Sequence, residues 1–175
     1  MGNKADVKRF EELIRPHMKA AYNLARWLTG SDSAAQDVVQ ESCLRAFRFL
    51  HRFSGGNSRA WLLAIVRNQS YTWLKAASGN KWVAIGDEIP EDDRALGHEE
   101  TPELAAMKSE DSAFLSRALE LLLPQFREVI ILKELEDMAY KDIATVADIP
   151  LGTVMSRLSR ARAALKTELL KLRHE

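Results

Sequence analysis

The fold of the carboxyl-terminal third is decided by residues 140–160, which read YKDIATVADIPLGTVMSRLSR. Ala144 is small at the point where a first helix has to approach a second. Asp148, four residues on, tolerates the left-handed backbone that a tight turn between helices needs. Val154 then begins the apolar face of the second helix. This spacing is typical of a helix-turn-helix, which presents its second helix to the major groove of DNA. An ordinary αα-hairpin uses the same turn chemistry and stays open as an alternative at this point.

The second helix of this motif has two distinct faces when its residues are placed about 100° apart. One is an apolar stripe that must face the core: Val154, Leu158, Ala161, Leu165 and Leu169. The other carries small hydroxyls beside an arginine, at Ser156, Ser159 and Arg160, and these side chains suit the hydrogen-bonding edges of bases. Arg157 and Lys166 are expected on the flanks, where contact with phosphate is favoured. A solvated charged helix face is the plainer interpretation.

Composition limits the classes of protein. The chain has 175 residues, enough for one domain or two small ones, and 46% of them are hydrophobic. The sequence lacks an apolar run near ~20 residues, so we expect no transmembrane span. The charged, amphipathic start argues against a secretory signal and favours the cytoplasm. Cys43 is the single cysteine and is expected to be a buried core thiol. Neither a metal-ligand spacing, a phosphate loop nor a convergent nucleophile is recognisable, so we expect no cofactor and no enzyme activity.

The formal net charge is zero, but it is unevenly distributed along the chain. Residues 1–80 carry a net charge of +6, residues 81–112 of −7 and residues 113–175 of +1. A basic amino-terminal block is therefore joined by an acidic segment to a nearly neutral carboxyl-terminal block. The asymmetry indicates that the first block contacts a polyanion.

The periodicity of apolar residues predicts helices throughout, and no strand pattern or internal repeat is found. Pro16 and Gly30 divide the first helices, and a capping box from Ser33 to Gln36 is expected to open a helix that runs to about Arg52. A break at 54–57 precedes a helix over about 58–77. Residues 80–100 read as a flexible acidic linker, Thr101-Pro102 as a helix start, and Pro124 as the start of a further helix before the helix-turn-helix.

A basic face on the helix from Ser58 suits single-stranded DNA. Arg67, Tyr71 and Lys75 are spaced by four residues and lie beside Asn68. An aromatic ring can stack on a base while the cations follow the backbone, and the amide can read an extruded base. A solvated basic face with Tyr71 half buried is the alternative.

The preceding helix carries a polar patch suited to docking another protein by charge and hydrogen bonding. Its members fall at positions i, i+3, i+4 and i+8: Asp37, Gln40, Glu41 and Arg45. Pairing within the helix, such as Glu41 with Arg45, would account for the same pattern without any partner.

Taken together, these motifs resemble the sigma-70 family of bacterial transcription initiation factors, and most closely its extracytoplasmic-function (ECF) group. Residues 35–47 are similar to region 2.2 of that family, and residues 53–62 with 65–68 are similar to regions 2.3 and 2.4. Leu123-Pro124, residues 127–129, 152–158 and 160–162 are similar to region 4. The resemblance implies an all-α protein of two small helical domains: region 2 over 1–79 and region 4 over 101–175, joined by the linker 80–100.

The resemblance also implies partners and roles. The polar patch Asp37, Gln40, Glu41 and Arg45 would dock the clamp helices of the largest subunit of core RNA polymerase, and region 4 would meet the flap of the second subunit. The loop formed by Ser54, Gly55, Gly56 and Asn57 would capture a flipped −10 base together with Asn68. The melted strand would be held by Arg59, Arg67, Tyr71 and Lys75. The −35 element of promoter DNA would be contacted by Thr153, Ser156, Arg157, Ser159, Arg160 and Lys166. Family members are commonly held inactive by an anti-sigma factor, and no membrane insertion is expected.

The chain departs from the family pattern at two positions. Met155 stands where the family often has Lys or Arg, and Thr72 stands where it often has Asp. The linker is also too short to hold a region 3 domain, and we expect no region 1.1. The rival interpretation is a stand-alone helix-turn-helix regulator, which explains residues 124–175 but leaves the matches in the first half as coincidence.

Overall fold

The structure, a computed structural model, describes residues 3–78 and 109–174, and all regular structure in these ranges is helical. The predicted linker over 80–100 and the predicted helix start at Thr101-Pro102 lie outside the described residues. The fold class predicted from the sequence, all-α with two helical halves, is confirmed.

The amino-terminal half is a bundle of four helices. They are α1 (Lys4–Ile14), α2 (Met18–Thr29), α3 (Asp32–Arg48) and α4 (Ser58–Ser78), with short 3₁₀ turns at Arg15–His17 and Leu50–Arg52. Pro16 lies in the first 3₁₀ turn, because its ring cannot continue the preceding α-helix. Gly30 ends α2 in the left-handed conformation, at φ 72°. The helix α4 packs against α1, α2 and α3 and so forms the centre of this half.

One local prediction in this half was wrong. The cap of α3 is Ser31 rather than Ser33, since the Ser31 hydroxyl accepts a hydrogen bond from the amide of Ala34 at 3.3 Å. Ser33 and Gln36 lie inside the helix as exposed residues. Serine is a suitable N-cap residue at either position. Asp32 at the first helical position favours the earlier start, since a carboxylate there complements the helix dipole.

The carboxyl-terminal half contains α5 (Ser109–Leu121), α6 (Pro124–Ile130), a π-helical turn (Ile131–Leu135), α7 (Tyr140–Ala147) and α8 (Leu151–His174). Pro124 begins α6 as predicted, at a helix position where its missing N–H costs nothing. The long α8 packs against α5, α6 and α7.

The two halves also pack against each other. The helix α4 lies against α7, and α2 lies against α6 and the π-helical turn. Buried apolar residues from both halves form one continuous cluster, which includes Leu24 and Val66 from the first half and Ile131 and Ile143 from the second. This shared interface was not predicted from the sequence, which suggested two halves connected only by the linker.

Candidate nucleic-acid interface

The turn between α7 and α8 has the geometry of a helix-turn-helix. Asp148 adopts the left-handed conformation at φ 54° and ψ 51°, and its amide donates to the carbonyl of Ala144. The apolar stripe of α8 points into the core as predicted: Val154, Leu158, Ala161 and Leu165 are buried, and Leu169 is half buried. The face of α8 opposite the core is therefore free to enter a groove.

The outward face of α8 carries most of the predicted −35 residues. Ser156 and Lys166 are exposed, and Thr153, Ser159 and Arg160 are half buried. The Ser156 hydroxyl bonds back to the carbonyl of Thr153 at 3.2 Å, a local bond that a base edge could replace. Met155 and Leu151 are exposed beside them and add an apolar edge to this face.

The predicted position of Arg157 was wrong. Arg157 was expected on a solvated flank of α8, but it is only 4% exposed. Its Nη1 lies 3.7 Å from Oε1 of Glu128. At 100° per residue, Arg157 falls on the core side of α8, about 60° from Val154. In this arrangement the side chain faces the interior and not a phosphate backbone.

The predicted polymerase-docking patch on α3 is open to solvent. All four of its members are exposed: Asp37, Gln40, Glu41 and Arg45. Nε of Arg45 lies 3.5 Å from Oε1 of Glu41, so the intrahelical pair does form. Both side chains are about half exposed, and a pair in that setting contributes little to stability. The patch remains available to a partner.

The loop before α4 presents the predicted base-capturing residues at the surface. Ser54, Gly55, Gly56 and Asn57 are exposed, and both glycines have positive φ, at 109° and 97°. The Asn57 side chain accepts a bond from the amide of Ala60 at 3.0 Å and thereby caps α4. Asn68 and Lys75 are exposed on α4 as well.

The remaining predicted −10 residues are covered by the second half. Arg67 donates to both carboxylate oxygens of Glu128, from Nε at 2.9 Å and from Nη2 at 3.3 Å. Its guanidinium also lies over the Tyr71 ring, with 4.3 Å between Cζ and the ring centroid. The Tyr71 hydroxyl is buried, without hydrogen-bond geometry to any described residue. We call Arg67, Tyr71, Glu128 and Arg157 the Glu128 cluster.

The electrostatics of the Glu128 cluster follow from its burial. Complete burial raises the pKa of the Glu128 carboxyl, while Arg67 and Arg157 act in the opposite direction by attracting its charge. Burial and the nearby Glu128 charge raise the pKa of the Tyr71 hydroxyl far above its ordinary value, so Tyr71 is neutral. One carboxylate thus serves two guanidinium groups, one from each half of the chain.

A second contact between the halves involves Arg59. Its Nη2 donates to the backbone carbonyl and to Oε2 of Glu136, each at 2.7 Å. The Asn23 side chain donates to the other oxygen of the same carboxylate at 3.3 Å. The π-helical turn ends just before Glu136, and Asp137 follows in the left-handed conformation, so irregular backbone aims this carboxylate at α2 and α4.

Arg127 joins the halves through backbone carbonyls instead of a carboxylate. It is 9% exposed and donates to the carbonyls of Leu119 and Glu120 in the last turn of α5 and of Leu122 just after that helix. A fourth bond goes to the carbonyl of Trp27 in α2. All four bonds are 2.8 Å long. Such bonds satisfy helix-terminal carbonyls that would otherwise lack donors.

Sequence reasoning missed Glu128, Glu136 and Arg127. The sequence did contain a signal that Glu128 is buried, because this residue stands beside the apolar run Val129–Leu132 on the core side of a short helix. A charged residue in that position requires a buried partner of opposite charge. Nothing in the pattern could name Arg67 as that partner, since the two residues are 61 positions apart.

Other site types find no support in the residues that the structure describes. Among residues 3–78 and 109–174, no group of three or more His, Cys, Asp or Glu side chains could hold a metal ion. Within the same ranges, no helix combines the length and apolarity needed to cross a membrane. Cys43 is half buried rather than fully buried as expected, with its Sγ 3.6 Å from Sδ of Met18.

Both halves of the chain match known protein families. Residues 13–79 match the family described as Sigma-70 region 2, and residues 115–165 match the family described as Sigma-70, region 4. The two matches follow one another in the order in which the motifs were found along the sequence.

Curated relatives match nearly the whole chain. The ECF RNA polymerase sigma-E factor of Salmonella typhimurium is 34% identical, over 97% of this chain and 91% of the relative. The RNA polymerase sigma-H factor of Pseudomonas aeruginosa is 32% identical, over 98% of this chain and 92% of the relative. The ECF RNA polymerase sigma factor SigE of Mycolicibacterium smegmatis is 32% identical over 97% of this chain, which spans 65% of that relative's length.

Two solved structures share the fold. The sigma factor RpoE of Bartonella quintana, in complex with the anti-sigma factor NepR, matches with a TM-score of 0.70 at 30% identity and covers 94% of this chain and 98% of its own. CnrH, in complex with the cytosolic domain of CnrY, matches with a TM-score of 0.65 at 26% identity, over 96% of this chain and 90% of its own. The fold and the two matched regions define a transcription initiation factor of the region 2–region 4 type, and the chain belongs to the ECF group of the sigma-70 family.

Proposed function

We propose that the protein is an alternative sigma factor that binds core RNA polymerase, directs it to specific promoters and promotes melting of the −10 element. The observation that carries this proposal is the presence, on one chain, of both family regions with their characteristic surfaces. Region 2 offers an exposed polar patch on α3, and region 4 offers a helix-turn-helix whose outward face is polar. Catalysis belongs to the polymerase, and the protein acts in the cytoplasm without a cofactor.

The assignment of surfaces to partners follows the two regions. The patch Asp37, Gln40, Glu41 and Arg45 docks the clamp helices of the polymerase, and region 4 contacts the flap. The exposed loop 54–57 and Asn68 receive a flipped −10 base, while Arg59, Arg67, Tyr71 and Lys75 hold the melted strand. The outward face of α8 reads the −35 element. We assign region 2 to residues 1–79, the linker to 80–100 and region 4 to 101–175.

Regulation by an anti-sigma factor is part of the proposal. One of the two structural relatives described above is a sigma factor in complex with an anti-sigma factor, NepR, and the other is CnrH in complex with the cytosolic domain of CnrY. This chain matches both over more than nine-tenths of its length, so the same kind of partner would find the same overall surface here.

Reconstitution with core RNA polymerase tests the proposed function. The purified protein is mixed with core enzyme, the complex is isolated by size exclusion, and transcript starts are mapped on a library of promoter fragments. We expect a stoichiometric complex that initiates at sites sharing −10 and −35 sequences. A protein that binds duplex DNA but neither co-elutes with the polymerase nor supports initiation would be a stand-alone helix-turn-helix regulator instead.

A further inference from the structure

The outward face of α8 begins with an apolar edge formed by Leu151 and Met155. Leu151 is 46% exposed and Met155 is 42% exposed, and the two residues lie one helical turn apart. Side chains four residues apart on a helix are neighbours, with about 5–6 Å between their Cβ atoms. The edge is therefore a small continuous apolar surface at the amino-terminal end of the second helix of the helix-turn-helix.

The position of this edge on α8 points to DNA rather than to the core. At about 100° per residue, Met155 lies about 100° from the core residue Val154 and about 40° from Ser159, which belongs to the assigned −35 set. The first residues of such a helix contact base edges when the helix enters the major groove. Met155 thus lies beside the side chains assigned to base contact.

We propose that Met155, supported by Leu151, reads the C5-methyl group of a thymine in the −35 element and is a specificity-determining residue for promoter choice. This rests on the proposed function, because it takes α8 as the helix that reads this element. The assigned −35 residues include neither Met155 nor Leu151, and no base has been assigned to any of them.

Thymine is the base whose major-groove edge carries an apolar group. Its edge offers the C5-methyl group beside the O4 acceptor, whereas the other three bases offer hydrogen-bonding groups there. A methionine side chain has no N–H or O–H donor, and its thioether sulfur is only a weak acceptor. Packed against a purely polar base edge, it would leave donors or acceptors without water and unpaired, which costs free energy. The Met155 side chain accordingly favours thymine.

The departure from the family pattern has the same consequence. A Lys or Arg, which the family often carries at position 155, would donate to the acceptors of guanine. Met155 cannot donate, but its unbranched, polarizable side chain adapts to an irregular apolar surface. Leu151, one turn earlier, extends that surface, so a methyl group against Met155 would lose its water on that side as well.

Gly152 leaves room for this contact. A Cβ built on Gly152 would meet nothing within 4 Å, so no packing against the described residues requires a glycine here. Glycine inside a helix is also less stable than alanine. The missing side chain lets the backbone of the first turn of α8 approach the groove closely, and the apolar edge can then reach the bases.

The cations on the same side of α8 fit this placement. Lys166 lies eleven residues after Met155, which is about 16 Å along the helix axis. The major groove is about 12 Å wide, so with Met155 on the base edges Lys166 reaches the level of a phosphate backbone. Arg162, between them, is paired with Glu134 at 2.6 Å and does not compete with Met155 for the base.

The test removes the methyl group from the DNA and the side chain from the protein. Holoenzyme is reconstituted from core polymerase and the full chain. Its affinity is measured for duplex promoters in which each −35 thymine, on either strand, is replaced in turn by deoxyuridine, which pairs normally and lacks only the C5-methyl group. With the wild-type protein, one replacement should weaken binding about fourfold, the effect of removing one methyl-sized group from an apolar contact.

The protein variants assign this response to a residue. Met155→Ala should weaken binding to the thymine duplex by a similar factor and should no longer respond to deoxyuridine at that position. Leu170→Ala is the matched control, because Leu170 is a similarly exposed apolar residue, at 48%, near the other end of α8. It should keep the wild-type affinity and the wild-type response. Both substituted side chains are exposed, so the melting temperatures should stay close to that of the wild type.

A second substitution changes the base preference instead of removing it. Met155→Lys should prefer guanine to thymine at the responding position, because a lysine donates to O6 and N7 of guanine. The measurement is the affinity of the variant holoenzyme for four duplexes that differ only in that base pair.

Three results would overturn the proposal. Tolerance of deoxyuridine at every −35 thymine by the wild-type holoenzyme would show that no methyl group is read. A response in Met155→Ala equal to that of the wild type would assign the methyl group to another residue. Weaker binding of Met155→Ala to core polymerase without DNA would show that the apolar edge contacts a protein.

The two proposals fail in distinguishable ways. Every duplex comparison starts from a promoter on which the wild-type holoenzyme initiates, so a negative deoxyuridine series leaves the proposed function intact. Failure to form the holoenzyme or to initiate would instead refute the proposed function, and the reading of thymine by Met155 would fall with it.

Discussion

Nε of Arg67 lies 2.9 Å from Oε2 of Glu128, and this pair joins α4 of region 2 to α6 of region 4 across 61 residues of chain. Glu128 is completely buried, and Arg157 of α8 approaches its other oxygen. A single carboxylate thereby connects the helix assigned to −10 melting with the helix assigned to −35 recognition.

Removal of this carboxylate should destabilise the protein strongly. Glu128→Ala is expected to lower the free energy of unfolding by about 3–5 kcal/mol, because it removes the buried carboxylate that the Arg67 and Arg157 guanidinium groups both face. Urea denaturation followed by circular dichroism measures the change. The control Glu134→Ala, which breaks a more exposed pair, should cost less than about 1 kcal/mol. Equal losses in the two variants would contradict the importance assigned to burial.

Charge reversal on α3 should abolish docking to polymerase. Asp37→Lys combined with Glu41→Lys is expected to prevent holoenzyme formation while leaving the melting temperature nearly unchanged, because exposed charges contribute little to stability. Glu11→Lys combined with Glu12→Lys is the matched control, since it makes the same charge change on the exposed face of α1. Co-elution with core polymerase is the measurement. Wild-type affinity in the α3 double variant would exclude this patch as the docking site.

Two cations on α8 should behave differently at the −35 element. Arg160→Ala is expected to relax base preference at one position, by roughly 1–3 kcal/mol if the contact with a base is bidentate. Lys166→Ala should weaken binding evenly across sequences and reduce its salt dependence, as loss of a phosphate contact does. Binding of holoenzyme to a set of single-base −35 variants separates the two. The assigned orientation of α8 is wrong if Lys166 changes base preference and Arg160 does not.

Arg157 should respond in a third way. Because it is buried against Glu128, Arg157→Ala is expected to lower the melting temperature rather than to weaken DNA binding evenly. Thermal denaturation of the free protein measures this effect. An Arg157→Ala protein of wild-type stability would show that the Arg157 side chain does not occupy the buried position beside Glu128.

Asn68 should matter for melting and not for assembly. Asn68→Ala is expected to leave polymerase binding and closed-complex formation nearly unchanged but to reduce open-complex formation, because extrusion of a base costs a few kcal/mol that a pocket must recover. Permanganate footprinting of thymines near the start site reports melting. A pre-melted bubble should restore much of the loss. Normal melting of linear duplex promoters by the variant would return this helix face to a solvated basic surface.

The helices and their bounds could largely be predicted from the sequence. Helix breaks at Pro16, Gly30 and Pro124, the turn at Asp148 and the apolar stripe from Val154 all depend on residues close together in the chain, where backbone conformation and periodicity are set locally. The family match assigned roles to α3, α4 and α8 for the same reason, since its motifs are short and contiguous. The prediction of Ser33 as the cap of α3 was wrong because Ser31 and Ser33 are both suitable N-cap residues and lie only two positions apart.

Only the tertiary structure decided which charges are exposed and which are buried. The patch on α3 and Arg67 on α4 both look like ordinary surface charge in the sequence, yet the patch faces solvent and Arg67 lies against the buried Glu128. Side-chain pairing across 61 residues depends on how α4, α6 and α8 pack, and packing joins residues that no local pattern connects. The sequence by itself determined the helices, the helix-turn-helix and the family. Packing determined that carboxylates of region 4 pair with arginines of region 2. The physical reason is that a buried charge must be neutralised by an opposite charge that the fold brings within reach.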